Sequence, residues 1–231
     1  MDVAFDLTDD TVLITGAAGS LGTAVVDAFT TAGARVIGLD IAEPDEWSGT
    51  GEFYTGDLTD DAIAEEAISS ALADAGTLDS LVTIAGTWKG GTPIEDTTVE
   101  TFDSVFDINL KTMFLAAKYA LPALQRDGGG AIVSVSARSG LEGGSGDGPY
   151  RASKAGVRIL TETIADENQG TVRANSIMPS IIDTPMNRDM MPDADHESWV
   201  DPAEIADVIC WLCSDGATVT SGAAIPVYGD A

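Results

Sequence analysis

Short runs rich in Val and Ile alternate along the chain with longer stretches in which apolar residues recur every three to four positions. Continuous apolar runs suit strands buried on both faces, and the longer period suits helices laid over them. The pattern predicts strands over residues 11–15, 35–40, 52–55, 80–84, 131–136, 171–177 and 224–227, and helices over 21–32, 60–75, 99–125, 150–168 and 203–213. The last helix opens on Asp201, Pro202 and Glu204, a cap, a first-turn proline and a capping-box acid in that order. Seven strands separated by helices predict repeated βαβ units. The expected fold is α/β: one doubly wound domain over residues 1–231, with a seven-stranded parallel sheet and helices on both faces.

Two stretches escape this alternation, 141–149 and 180–200. The second is long for a simple connection, so it is expected to be a functional loop covering a substrate.

Length agrees with one domain, since 231 residues is an ordinary size for an α/β fold. Charge narrows the partners. The 38 acidic and 11 basic residues give a net charge of -27, spread from Asp2 to Asp230. Such a surface repels phosphates, which argues against nucleic acid and anionic membranes as partners. It also suggests a halophilic origin, in which salt screens self-repulsion. No run approaches the ~20 apolar residues of a membrane helix, and MDVAFDLTDD lacks the features of a signal peptide, so a cytoplasmic location is expected. Cys210 and Cys213 are expected to be buried free thiols, His196 an exposed loop residue, and no metal set is completed.

The first predicted strand runs into Thr15-Gly16-Ala17-Ala18-Gly19-Ser20-Leu21-Gly22 and then a helix. Small residues there let a pyrophosphate approach backbone N–H groups at the helix N-terminus, although tight strand-to-helix turns need glycine for their own geometry too. Asp40 closes the second strand, where a carboxylate can accept from both adenosine ribose hydroxyls and repel a 2′-phosphate. The expected cofactor is therefore NAD, with NADP less favoured. A second candidate cluster is Tyr150-Arg151-Ala152-Ser153-Lys154, which sets a phenol and an ammonium on one helical face. A cation beside a phenol favours the phenolate, which makes proton exchange feasible near neutral pH.

These motifs resemble those of the short-chain dehydrogenase/reductase family, and the resemblance extends over almost the whole chain. It implies a Rossmann-type fold, a nicotinamide dinucleotide, and an oxidoreductase acting on a small organic substrate. Gly16, Gly19, Ser20, Leu21 and Gly22 would form the phosphate-binding turn, with Ser20 where the common subgroup has a glycine. Asp57 and Leu58 look like the adenine-contacting pair. Ala85 and Gly86 look like the end of the Asn-Ala-Gly motif, with Ile84 replacing its asparagine. Pro179 and Thr184 match the segment whose threonine contacts the carboxamide, with Ser180 in place of its glycine. Tyr150 would exchange the proton, Lys154 would hold the nicotinamide ribose and depress the phenol pKa, and Asn109 would kink its helix and hold a relay water. The usual serine, thirteen residues before the tyrosine, is Ala137.

That alanine, the loop from Met178 to Trp199, and Trp88 after the fourth strand resemble the dihydropteridine reductase branch, whereas Asn109 follows the common subgroup. The implied substrate is a quinonoid dihydropterin, with Trp88 as a stacking face and Ala137 and Met186 beside it. Met190 and Met191 are further candidates for an apolar lid. A ketone or alcohol substrate is the alternative, and a non-catalytic dinucleotide-binding regulator is the reading from another class. Family members pair through their two long helices, which implies a homodimer or homotetramer.

Overall fold

The protein is described by a computed structural model covering residues 6–230; residues 1–5 and 231, part of the predicted domain and of the N-terminal stretch read above, lie outside the described residues. Its strands are β1 (Thr11–Thr15), β2 (Arg35–Asp40), β3 (Phe53–Thr55), β4 (Ser80–Thr83), β5 (Gly130–Val135), β6 (Val172–Pro179) and β7 (Ala224–Val227). All pair in parallel, in the order β3-β2-β1-β4-β5-β6-β7. The chain therefore winds outward from β1 in both directions, which opens a crevice beyond the carboxyl ends of β1 and β4.

Alternate residues of the strands feed two separate cores. Val12, Ile14, Val36, Val82, Val133 and Ile177 pack beneath α1 (Ser20–Thr31) and α7 (Pro202–Cys213). Leu13, Ile37, Leu81, Ile132 and Ala174 face α2 (Asp61–Ala75), α4 (Thr112–Arg126) and α5 (Gly148–Glu167) on the other side. Each fully buried Leu or Ile contributes roughly 1.5–3 kcal/mol, so both sheet faces are strongly fixed. The thiols of Cys210 and Cys213 are free and buried, as expected, and burial pushes Cys213 up to about 12.

Caps decide several helix starts. Asp60 accepts from the N–H groups of Ala62 and Ile63, and Asp201 accepts from Ala203. Thr98 caps α3 (Val99–Phe106) by accepting from Thr101. The single helix expected over 99–125 is in fact α3 and α4 joined by a π-helical turn, Asp107–Lys111, with Asn109 buried in it. Apolar periodicity does not reveal one extra residue in a turn, so that boundary was invisible in the pattern. Strand ends differ by one or two residues; β6 runs on to Pro179 because Pro179 still pairs with Val227.

The stretch 180–200 is more ordered than expected for a loop. It carries α6 (Pro185–Met190), begun by Pro185 and capped by Thr184, and a bridge between Ile182 and Val200. His196 is not the exposed residue predicted: its ring lies 4.4 Å from Trp199 and its Nε2 meets the Met191 carbonyl at 2.8 Å. Trp199 is itself buried, so the turn at His196 closes over it.

Three hydroxyls lie side by side on the α4/α5 face of the sheet, where Thr83 pairs with Ser134 and Ser134 with Ser176. All three are buried, and none has a hydrogen-bond partner among the described residues.

Candidate active site

A crevice of about 590 Å³ runs across the carboxyl ends of the strands, from Asp57 and Asp40 at one end to Tyr150 and Met186 at the other. Gly16 starts it. Its φ of 73° is a left-handed conformation that favours glycine, and a Cβ there would meet the Ala85 nitrogen at 2.6 Å. Gly22 sits closer still, since its Cβ would fall 2.0 Å from the Gly16 carbonyl oxygen. The turn is thus packed against β4 and its own helix by the absence of side chains. α1 begins at Ser20 with Gly19 as its N-cap, so the amides of Ser20, Leu21 and Gly22 have no preceding helical turn to donate to and open on the crevice.

Asp40 belongs to the same unit. One carboxylate oxygen accepts the Ala18 N–H at 3.0 Å and the other accepts the Ile41 N–H at 2.7 Å. A carboxylate offers about four acceptor sites, so capacity remains for two hydroxyl donors from a ligand. Asp57 is turned inward by Thr59, whose N–H and hydroxyl both donate to Oδ1. Leu58, Ala85, Gly86 and Pro179 complete the walls. An amide-lined turn for a pyrophosphate followed by a carboxylate for a ribose fits a dinucleotide.

At the other end α5 carries Tyr150 and Lys154 one turn apart. Lys154 is gripped by β5: its Nζ donates to the Val135 carbonyl at 2.9 Å, and its own carbonyl accepts the Ser136 hydroxyl at 2.7 Å. A Cβ on Gly86 would stand 3.1 Å from Lys154 Nζ and 3.0 Å from Asn109 Oδ1. Glycine there is what allows the ammonium and the amide to approach the loop after β4. Asn109 clamps that loop, accepting the Thr87 N–H at 2.7 Å and donating to the Thr87 carbonyl at 3.0 Å and to Ser153 Oγ at 3.2 Å. The π turn is what aims the amide at this loop.

Burial dominates the electrostatics of this end. Burial pushes the Tyr150 phenol up to about 12, with Asp147 adding to the rise and Arg151 opposing it. The pKa of Lys154 is itself pulled down by burial to about 8. In the protein alone, desolvation therefore dominates at the phenol and favours its protonated form.

The sequence-predicted residues come together with few exceptions. Gly16, Gly19, Ser20, Leu21, Gly22, Asp40, Asp57, Leu58, Ala85, Gly86, Lys154, Pro179 and Thr184 all line the crevice, as do Tyr150, Trp88, Ala137 and Met186. Asn109 stands behind its wall and acts on it through Thr87. Met190 and Met191 are not part of the lining, so of the three methionines only Met186 faces the crevice. The sequence reading missed Thr87, which motif spacing alone does not mark. A larger concavity of about 830 Å³ lies around the amino ends of β5 and β6, between Asp79 and Arg173, far from the phenol and ammonium. The chemistry favours the smaller crevice.

Residues 16–229 match the family model described as enoyl-(acyl carrier protein) reductase. The chain belongs to the short-chain dehydrogenase/reductase family. This short-chain dehydrogenase/reductase is 32% identical over 236 residues to the 3-oxoacyl-(acyl-carrier-protein) reductase of Thermotoga maritima, covering 94% of this chain and 95% of that protein. It is 31% identical to a cyclopentanol dehydrogenase of a Comamonas species, covering 96% of each chain. The ligand-free aldohexose dehydrogenase of Thermoplasma acidophilum superposes with a TM-score of 0.89 at 26% identity, covering 97% of this chain and 94% of that one. The protein is accordingly an oxidoreductase of a family that uses a nicotinamide dinucleotide. Among the described residues, no helix is long and apolar enough to cross a membrane.

Proposed function

We propose that the protein is an NADH-dependent reductase of a small, uncharged ring substrate, with a dihydropterin as the sharpest case. The observation that carries this reading is that Lys154 and Asn109 close on Gly86 in a crevice that Tyr150 lines at the same end and Asp40 at the other. The amides of Ser20, Leu21 and Gly22 would hold the pyrophosphate, Asp40 the adenosine ribose, Asp57 and Leu58 the adenine, and Pro179 and Thr184 the carboxamide side. NADH, when bound, supplies the hydride.

The chain's own residues supply the proton. Lys154 binds the ribose hydroxyls next to the reacting ring. Tyr150, held neutral by burial, gives its phenolic proton to the substrate atom that gains electron density, and the ammonium and the oxidised ring's charge ease that loss. Trp88 offers a flat face at the mouth, and Met186 an adaptable apolar one. The substrate end has Lys154 as its one lining cation, which favours uncharged substrates over carboxylates and phosphates. Ala137 leaves position 137 without a hydroxyl donor, a loss that a C=N substrate would feel less than a carbonyl.

A cyclic ketone or secondary alcohol is the second reading, favoured by the likeness to cyclopentanol dehydrogenase. Assays with NADH and quinonoid dihydropterin, and with NADH and cyclopentanone, separate the two; turnover of the ketone alone rejects the pterin. Tyr150→Phe tests catalysis itself, with an expected loss of about 10²- to 10⁴-fold in kcat/KM at unchanged NADH affinity. A protein that only binds dinucleotide would be indifferent to that change. Phe114 on α4 and Ile159 on α5 are exposed, which supports pairing with a second copy through those helices.

A further inference from the structure

We propose that the Thr87 hydroxyl is the second hydrogen-bond donor to the substrate, taking over the task that a serine at position 137 would perform. The inference rests on the reductase reading above and names a contact that reading lacks.

What separates the lining hydroxyls is which are already engaged in hydrogen bonds. Beyond the phosphate-binding turn, the crevice-lining Thr112 donates to the Ile108 carbonyl at 2.6 Å and Ser136 to the Lys154 carbonyl at 2.7 Å. Ser180 donates to the Tyr228 carbonyl at 2.7 Å. The Thr184 oxygen accepts the Asn187 N–H as the cap of α6, and its side chain is buried on the carboxamide side. Thr87 lines the same crevice, is partly buried, and its hydroxyl makes no hydrogen bond among the described residues.

Placement turns an unengaged hydroxyl into a directed one. Asn109 holds both the N–H and the carbonyl of Thr87, so the backbone bearing this side chain is fixed at two points. A Cβ on the preceding residue, Gly86, would stand 3.1 Å from Lys154 Nζ. Thr87 therefore stands one residue from the ammonium that holds the reacting end of the cofactor, on a loop that Trp88 continues toward the mouth. In reduction of a carbonyl, hydride reaches the carbon, the Tyr150 proton reaches the oxygen, and Thr87 donates to that oxygen without losing its own proton. Its benefit is largest as charge develops, so the loss on removal falls on kcat more than on KM.

The test compares Thr87→Val, which keeps the shape and removes the donor, with Thr87→Ser, which keeps the donor. Wild type, both variants and Tyr150→Phe are assayed with NADH against cyclopentanone and quinonoid dihydropterin, and NADH binding is followed by fluorescence. The expected result is a fall in kcat of about 10- to 100-fold in Thr87→Val, with NADH affinity and melting temperature unchanged and most of the rate restored in Thr87→Ser. Wild-type rates in Thr87→Val, equal losses in both variants, or a loss confined to NADH binding overturn the proposal. If Tyr150→Phe abolishes turnover while Thr87→Val does not, this inference alone fails. If the wild type turns over neither probe, the reductase reading fails and takes this one with it.

Discussion

Ala18 donates its backbone N–H to the Asp40 carboxylate at 3.0 Å, so the glycine-rich turn after β1 and the acid at the end of β2 form one unit. Asp40 braces the turn and, on the proposed function, would also read a ribose. Asp40→Ala is expected to weaken NADH binding about 10- to 100-fold, the worth of one or two charge-assisted hydrogen bonds, and to leave NADPH binding unchanged or improved. Fluorescence titration of both dinucleotides decides it. Tighter binding of NADPH by the wild type would reject the carboxylate argument.

The buried Lys154 ammonium works against stability. Its pKa of about 8 in the fold, against 10.5 ordinarily, means that the folded state binds this proton more weakly than the unfolded chain. Below pH 8 both states are charged and the full penalty is present; as pH rises from 8 to 10.5 the unfolded chain holds the excess proton, so stability from this group increases. Lys154→Met should lose activity yet unfold at higher denaturant at pH 7, by at most roughly 3 kcal/mol less the cost of the bond to Val135. That advantage should shrink toward pH 10.5. A variant weaker than wild type, by the same margin at every pH, contradicts the account.

The row of buried hydroxyls offers a contrast within one strand. Ser134 Oγ has no partner, whereas Ser136 Oγ is bonded to the Lys154 carbonyl. Replacing an unpartnered buried hydroxyl by a methyl group removes a desolvation penalty, so Ser134→Ala should raise stability by about 1 kcal/mol, or roughly 2–4 °C in Tm. Ser136→Ala should lower it by a similar amount. Calorimetry that finds both variants equally destabilised would refute the distinction.

Net charge makes its own forecast. Self-repulsion among 38 acidic residues is screened as the Debye length falls from about 10 Å at 0.1 M salt to about 3 Å at 1 M. The melting temperature should climb with KCl across that range. A flat profile would remove the case for a halophilic origin.

The sequence revealed the sheet well because the signals were local and redundant. Apart from β3, which is Phe-Tyr-Thr, the strands carry Val or Ile in short apolar runs, and alternation into two cores follows from burial on both faces. The glycine-rich turn was equally plain, since Gly16 and Gly22 answer to contacts that no side chain could share. What stayed hidden depends on pairs distant in the chain. Nothing near Thr87 announces that Asn109, 22 residues on, will hold its backbone. Helix α6 is only six residues long and owes its start to Thr184 and Pro185. The rise in the Tyr150 pKa reflects burial, which a spacing of four residues does not encode.

The π-helical turn at Asp107–Lys111 has a further consequence for how this chain can vary. Each residue in a helix turns it by about 100°, so removing one to restore a regular α-helix would rotate all of α4 against the sheet. Leu115, Ala116 and Leu124 would swing out of the core while Asn109 swung off Thr87. Length within this segment is thus locked: side chains there can be exchanged, but a single-codon deletion would disable the interior and the reaction centre in one stroke.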